Sequence, residues 1–353
     1  MEKITTVQID KPGSASSPLN LPRSLTVIDG SSFPVAGDVV VVRALSESVT
    51  YGNIELPSGR LAKINRNDTL LGVLGKRRAL KGFVGNVPDS VNAGDRLHLL
   101  NMGGVIGICS GHHSSLSDAI EVEVIGLACD ADGTVLNISD NSLAVSDSLL
   151  PSAPIVLVAG TCMNSGKTVA ATELIRQASN TGLRVAAAKL SGIACLRDTL
   201  NMQDHGAVAT ASFLDCGLPS TVDHEDLSPI AKGILNHLNS FYPDLIVVEL
   251  GDGIVGGYAV DSVLRDEEIR SAISSFVFCA SDYVGVIGGL AVLKEFGIDV
   301  DVVAGSVTDS QMGEDFIEQR FGIKAGNARR DGKRLFSLLG PAVQQKRETA
   351  TCV

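Results

Sequence analysis

Two hydrophobic rhythms divide the chain near residue 150. Before it, short β-type runs alternate with turn signals: SLTVID (24–29), DVVVVRAL (38–45), GNIELP (52–57), RLAKI (60–64), TLLGVLG (69–75), DRLHLLN (95–101) and IEVEVIG (120–126). The breaks carry Pro57-Ser58-Gly59, Ala93-Gly94-Asp95 and Met102-Gly103-Gly104, residues that supply a preset or positive φ in tight turns. That spacing predicts a small, mostly-β, barrel-like domain. Most of the runs are continuously apolar rather than alternating, which predicts cover on both faces. AGDVVVVRAL (36–45) and AGDRLHLLNM (93–102) echo each other, as a pseudo-repeat inside one barrel would.

After residue 154 the rhythm becomes strand–helix alternation. IVLVAG (155–160), RVAAAK (184–189), DLIVVEL (244–250), SFVFCA (275–280) and DVDVVAG (299–305) read as strands. Helical patterns fall at 167–180, about 200–215, 227–241, near 259–273, 286–296 and 310–321. Repeated βα units with wholly apolar strands predict an α/β fold, a parallel sheet with helices on both faces. Ligands in such sheets bind at the carboxyl ends of the strands. The expected organisation is a loose N-terminal segment (1–23), a β-rich domain (24–135), a Ser/Asp/Asn-rich linker (136–154), the α/β domain (155–340) and a tail (341–353).

Composition narrows the function. The chain has 353 residues, 44% hydrophobic and 20% charged, which is globular composition. Its net charge of −11 disfavours sequence-independent binding to nucleic acid or anionic lipid. No apolar run approaches the roughly 20 residues of a membrane span, and MEKITTVQIDKPGS lacks the apolar core of a secretory signal. A soluble, cytoplasmic protein is expected. Seven widely spaced cysteines, with no C-x-x-C pair, do not form a disulfide or zinc framework. Cys109, His112 and His113 alone resemble a metal cluster, and they lack a fourth ligand.

The chemistry concentrates in GTCMNSGKT (160–168), set between an apolar strand and a helix. Gly160 and Gly166 let backbone N–H groups converge on anionic oxygens, with the helix N-terminus adding partial positive charge. Thr161, Cys162, Met163, Asn164 and Ser165 complete the cradle. Lys167 is placed for the β- and γ-phosphates and the Thr168 hydroxyl for Mg²⁺. Five residues, rather than the usual four, separate Gly160 from Gly166-Lys167.

That spacing resembles the loops of dethiobiotin synthetase and cobyric acid synthase, one superfamily of P-loop NTPases. The likeness covers about 155–322. GLRVAAAKLSG (182–192) is similar to the family segment whose lysine meets phosphate and substrate, which implies Lys189. LRDTLNMQ (196–203) implies Asp198 as a metal partner, with Asp204 as a rival. DLIVVELGDG (244–253) implies Glu249 for the metal. Leu190 replaces a family proline, and Leu250-Gly251 replaces Gly-Ala. The adenine-recognising asparagine has no evident counterpart, and Asp309 is an alternative that admits GTP beside ATP.

The resemblance implies an ATP- and Mg²⁺-dependent ligase or kinase-like enzyme. It would phosphorylate a small-molecule carboxylate or carbamate for attack by an amine, with Lys167, Lys189 and Glu249 catalytic and Thr168, Asp198 and Glu249 on the metal. A homodimer, without nucleic-acid or membrane partners, goes with that reading. The alternative is a nucleotide-gated switch or assembly ATPase acting on a protein partner. Such relatives carry a further lysine early in the loop, where Thr161 and Cys162 stand here. A third reading is a module that holds nucleotide without reacting. His205 and His224 read as loop histidines, while Asp252, beside the expected γ-phosphate, could position substrate or metal.

Overall fold

The computed structural model describes residues 4–31, 33–48 and 50–345. The chain forms two compact units. The first comprises Met1–Leu143 with Ile193–Arg197 and Phe213–Val222; the second comprises Ala144–Gly192, Asp198–Ser212 and Asp223–Val353. Two short pieces of the second half therefore belong to the first unit, which no composition shift marks.

In the first unit five strands pair in a closed ring. They are β1 (Val39–Ala44), β2 (Thr69–Leu74), β3 (Arg96–Leu99), β4 (Val105–His112) and β5 (Glu121–Ala128). β5 pairs with β1, β1 with β2, β2 with β4, β4 with β3 and β3 with β5; only β2–β4 is parallel. Val39 to Val42 are fully buried in sequence, so β1 is covered on both sides. Val40, Val42, Leu70, Leu74, Ile106, Val122 and Val124 belong to one apolar cluster. Within the segment expected to be loose, Thr5–Gln8 pairs with Ser24–Val27, and Ser14, Ala15 and Ser16 are buried. Cys109 and His112 lie on β4. His112 Nε2 meets Asp118 Oδ1 at 3.2 Å, and among the described residues no group of three or more His, Cys, Asp or Glu is placed to hold a metal.

The second unit is an α/β fold with a parallel sheet. Its strands are β6 (Ile155–Gly160), β7 (Val185–Ser191), β8 (Ala209–Ser212), β9 (Leu245–Leu250), β10 (Ile273–Cys279), β11 (Val302–Ala304) and β12 (Lys324–Ala325). They run in the order β8-β7-β9-β6-β10-β11-β12, and every pairing is parallel. The connecting helices are α1 (Lys167–Asn180), α2 (Arg197–Asp204), α3 (Ser228–Asn239), α4 (Val260–Arg265), α5 (Glu267–Ala272), α6 (Tyr283–Glu295), α7 (Gln311–Phe321) and α8 (Ala328–Ser337). Every residue of β6 and of β9 is buried, as central strands of a doubly covered sheet must be. Ala170, Ala171, Leu174 and Ile175 of α1 pack with Val156, Val158 and Val247 of the sheet and with Leu335 and Phe336 of α8.

Local signals explain where the pattern and the structure part. The helix expected over 200–215 ends at Asp204, because Gly206 takes a φ of +105° that ends a right-handed helix; the remainder forms β8. The single helix expected near 259–273 is two, since Asp266 breaks it with an extended backbone and its side chain caps α5 by accepting from Ile269 N at 2.9 Å. The expected tail includes a short turn of 3-10 helix at Pro341–Val343, and 346–353 lie outside the described residues. Among the described residues no helix is long and apolar enough to cross a membrane.

Candidate functional site

β6 delivers the chain to Gly160 at the carboxyl edge of the sheet, and α1 departs at Lys167. The turn between them is fixed by close backbone approach. A side chain at Gly160 would stand 2.5 Å from Cys279 O and 2.6 Å from Ser165 Oγ. Gly166 has a φ of +102°, and a Cβ there would meet Gly305 Cα at 2.9 Å, so both conformation and space demand glycine. Asn164 also takes the left-handed region, with a φ of +65°, which asparagine tolerates better than most residues. Thr161 N donates to Cys279 O at 3.0 Å, tying the turn to β10.

Two ionisable groups dominate the site. Lys167 is 5% exposed, and its Nζ donates to Cys162 O at 2.8 Å, folding the side chain back over the loop. Burial lowers its pKa; Glu249 and Asp252 oppose that effect by stabilising the charge, and Lys189 adds to the depression. The Cys279 thiol is pushed up to about 12 by burial and stays neutral. Glu249 is 2% exposed at the end of β9, and its Oε1 accepts from Thr168 Oγ1 at 2.7 Å. Among the described residues its Oε2, which is buried, has no hydrogen-bond partner, and neither does Ser165 Oγ. An unpartnered buried carboxylate oxygen beside a threonine hydroxyl is costly in the chain alone. Such a hard oxygen pair fits Mg²⁺.

Lys189 and Glu249 are direct partners in the β7–β9 register. The Lys189 ammonium is ion-paired with the Asp198 carboxylate at the start of α2. The sequence-expected residues therefore fall into two sets: Lys167, Thr168 and Glu249 with the loop, and Lys189 with Asp198. Asp252 has a φ of +65° in the turn after β9, and Ile254 N donates to Gly160 O at 2.9 Å, so this turn is fastened to the start of the 160–168 loop. Asp309 accepts from Asn327 Nδ2 at 2.9 Å, while Asn327 Oδ1 caps α8. His205 Nδ1 lies 2.7 Å from Asn201 O.

Sequence reasoning did not foresee the contact of Gly305 and Ser306 with the loop, where Ser306 N donates to Ser165 O at 3.3 Å. Its one visible signal was a glycine closing the apolar run DVDVVAG. The orphaned Ser165 hydroxyl left no signal at all.

No family model matches the chain, and no curated relative does. Solved structures do match. The signal recognition particle receptor FtsY from Elizabethkingia anophelis is 12% identical, over 49% of this chain and 57% of that one, with a TM-score of 0.35. The signal recognition particle 54 kDa protein from Aeropyrum pernix K1, solved in complex with GDP, is 18% identical over 54% and 48%, with a TM-score of 0.37. Cell division protein FtsY from Thermotoga maritima is 14% identical over 59% and 72%, with a TM-score of 0.37. This chain spans less than two thirds of the length of the first two. The likeness is one of fold class alone.

These matches correct the expected activity. They are signal recognition particle proteins and receptors, not ligases or phosphotransferases, so the dethiobiotin synthetase-like ligase reading loses its support. The small-molecule carboxylate or carbamate acceptor, and the partners expected with it, fall together with that activity. The site offers a physical reason in the same direction: the Lys189 charge expected to meet substrate is already met by Asp198.

Proposed function

We propose that the second unit binds a purine nucleoside triphosphate with Mg²⁺ and works as a nucleotide-gated switch or assembly NTPase that answers to a protein partner. The observation that carries this reading is the placing of a buried Lys167 beside Glu249, whose one oxygen is held by Thr168 and whose other oxygen has no partner. Backbone N–H groups of 161–166 and the N-terminus of α1 receive phosphate oxygens. Lys167 exchanges its bond to Cys162 O for a phosphate oxygen. Thr168 and Glu249 hold the Mg²⁺, which supplies charge neutralisation when bound. GTP and ATP are both admitted by these residues.

The gate is the turn after β9. Asp252 and Ala259 hold left-handed backbone, Val255 is 69% exposed, and Ile254 is hydrogen-bonded to Gly160 of the loop. Strained non-glycine positions persist only where the surroundings over-determine them, so a change in the loop can release them. In the first unit we read the closed ring of strand pairings as a small barrel.

Amide hydrogen exchange with and without Mg²⁺ and each triphosphate tests the reading. Exchange over 251–259 slows with the cognate triphosphate and not with its diphosphate, and the isolated protein turns that triphosphate over slowly. Equal exchange in both states, or rapid unassisted turnover, contradicts a switch.

A further inference from the structure

β9 ends at Leu250, and the turn that follows is pinned on both sides by other parts of the second unit. Gly251 O accepts from the buried Ser191 hydroxyl, at the end of β7, at 3.0 Å. A side chain at Gly251 would stand 2.1 Å from Ser191 O, and one at Gly253 would stand 2.4 Å from Thr161 O. Ile254 N donates to Gly160 O at 2.9 Å. Both neighbours of Asp252 therefore touch backbone, one on β7 and the other on the 160–168 loop, and only glycine fits at those contacts. Asp252, half-buried between them, holds a φ of +65°. A non-glycine residue keeps that backbone only where its surroundings fix it.

The pinned residue carries a charge into the neighbourhood of Lys167. Burial works against the Lys167 ammonium, and the Glu249 and Asp252 carboxylates work for it. The chain thus supplies Lys167 with anions of its own. Glu249 shares an oxygen with the Thr168 hydroxyl, beside the place read above as the metal's. Asp252 lies instead on the turn that touches the start of the loop. A carboxylate there competes with phosphate for the same ammonium, and the competition grows with the charge of the ligand. In a loop of this kind the lysine reaches the β- and γ-phosphates, so a terminal phosphate meets that competition most directly.

We propose that Asp252 is a specificity-determining residue that separates nucleoside triphosphate from diphosphate: it is the site's own anion, which the terminal phosphate must displace from Lys167. Displacement removes one of the contacts that keep Asp252 in its left-handed backbone, so the turn rearranges with the triphosphate and keeps its arrangement with the diphosphate. A built-in like charge that opposes one ligand more than another is a known route to discrimination. This rests on the nucleotide reading given above and deepens it, by naming the residue through which the number of phosphates reaches the turn.

The test compares the affinities of mant-GTP, mant-GDP, mant-ATP and mant-ADP, each with Mg²⁺, for the native full chain and for Asp252→Asn. Asparagine keeps the shape of the side chain and tolerates the left-handed region, so the substitution removes the charge and spares the backbone. The variant binds the triphosphate about tenfold more tightly and the diphosphate within about twofold of native, the direction expected when a like charge leaves a ligand site. Asp261→Asn, which removes an exposed carboxylate of α4 paired with Arg265, leaves the affinities unchanged. An unchanged ratio of triphosphate to diphosphate affinity in Asp252→Asn overturns the proposal. Weaker triphosphate binding overturns it too, because Asp252 would then be a ligand of the metal or nucleotide and not a competitor. Should circular dichroism show that Asp252→Asn does not fold, Asp252→Gly enters the same comparison, since glycine suits the positive φ and carries no charge. If the native chain binds none of these nucleotides, the nucleotide reading fails and this proposal falls with it. If it binds them and the ratio stays at the native value in the variant, the proposal alone falls.

Discussion

Two buried carboxylates, one in each unit, show how differently the same side chain can be used. Glu55 Oε2 accepts from Ser14, Cys195 and Leu196, three bonds from its own chain to one oxygen. Glu249 is as deeply buried, yet among the described residues Oε1 is engaged by Thr168 and Oε2 has no partner. The first arrangement is an anchor, stable as it stands. The second is incomplete as a piece of chain, and Lys167, a cation that interacts with it, points its Nζ at Cys162 O. A buried polar group is tolerated in proportion to the bonds it makes. Unmet capacity next to a buried lysine and a glycine-built turn marks the place where something outside the chain belongs.

Substitutions separate the two uses, and the largest effect falls on ligand affinity. Lys167→Ala should weaken triphosphate binding about a hundredfold or more, the scale of removing one partner of a buried charge contact, while circular dichroism and melting stay close to native. The next largest is on stability. Glu55→Ala leaves a buried amide, hydroxyl and thiol without their acceptor and should cost about 3 kcal/mol in denaturant unfolding. Glu249→Gln should cost less than about 1 kcal/mol without ligand, because it removes a charge whose second oxygen was never satisfied. The same variant should lose the gain in affinity that Mg²⁺ confers. If Glu249→Gln proves as destabilising as Glu55→Ala, the contrast between anchor and open site is wrong.

The smallest effect is a pH dependence. Burial lowers the Lys167 pKa in the fold, while in the unfolded chain it keeps the ordinary lysine value of 10.5. Between those two values the unfolded state binds more protons, so the ligand-free protein gains stability as pH rises through the window. Phosphate favours the charged lysine, so triphosphate affinity falls over the same window. Lys167→Met should flatten both trends, and a native profile already flat below 10.5 would contradict the assigned cause.

How much of this was readable from the sequence follows from how local each constraint is. The glycine-bounded turn from Gly160 to Thr168 was legible because its conformation rests on its own backbone and immediate neighbours. The apolar runs of β6, β9 and β10 were legible because both their faces are buried. β8 and α8 were missed: ATAS is too short and small to show a pattern, and ARRDGKRLFS is mostly polar, with Leu335 and Phe336 carrying its buried face. The strand Val105–His112 was also missed, because its second half, CSGH, is not apolar. The Lys189–Asp198 pair and the Glu55 anchor were beyond reach, since each depends on segments that meet only in the folded chain. The ligase reading came from motif likeness, and motif likeness cannot report that Lys189 is already paired.

The most direct measurement of the central claim is calorimetric titration of the native protein with GTP and with ATP, each with Mg²⁺, alongside Lys167→Ala. The account predicts saturable binding of at least one triphosphate by the native protein and its loss in the variant. Absence of binding heat from both nucleotides, or binding that survives Lys167→Ala undiminished, would contradict it.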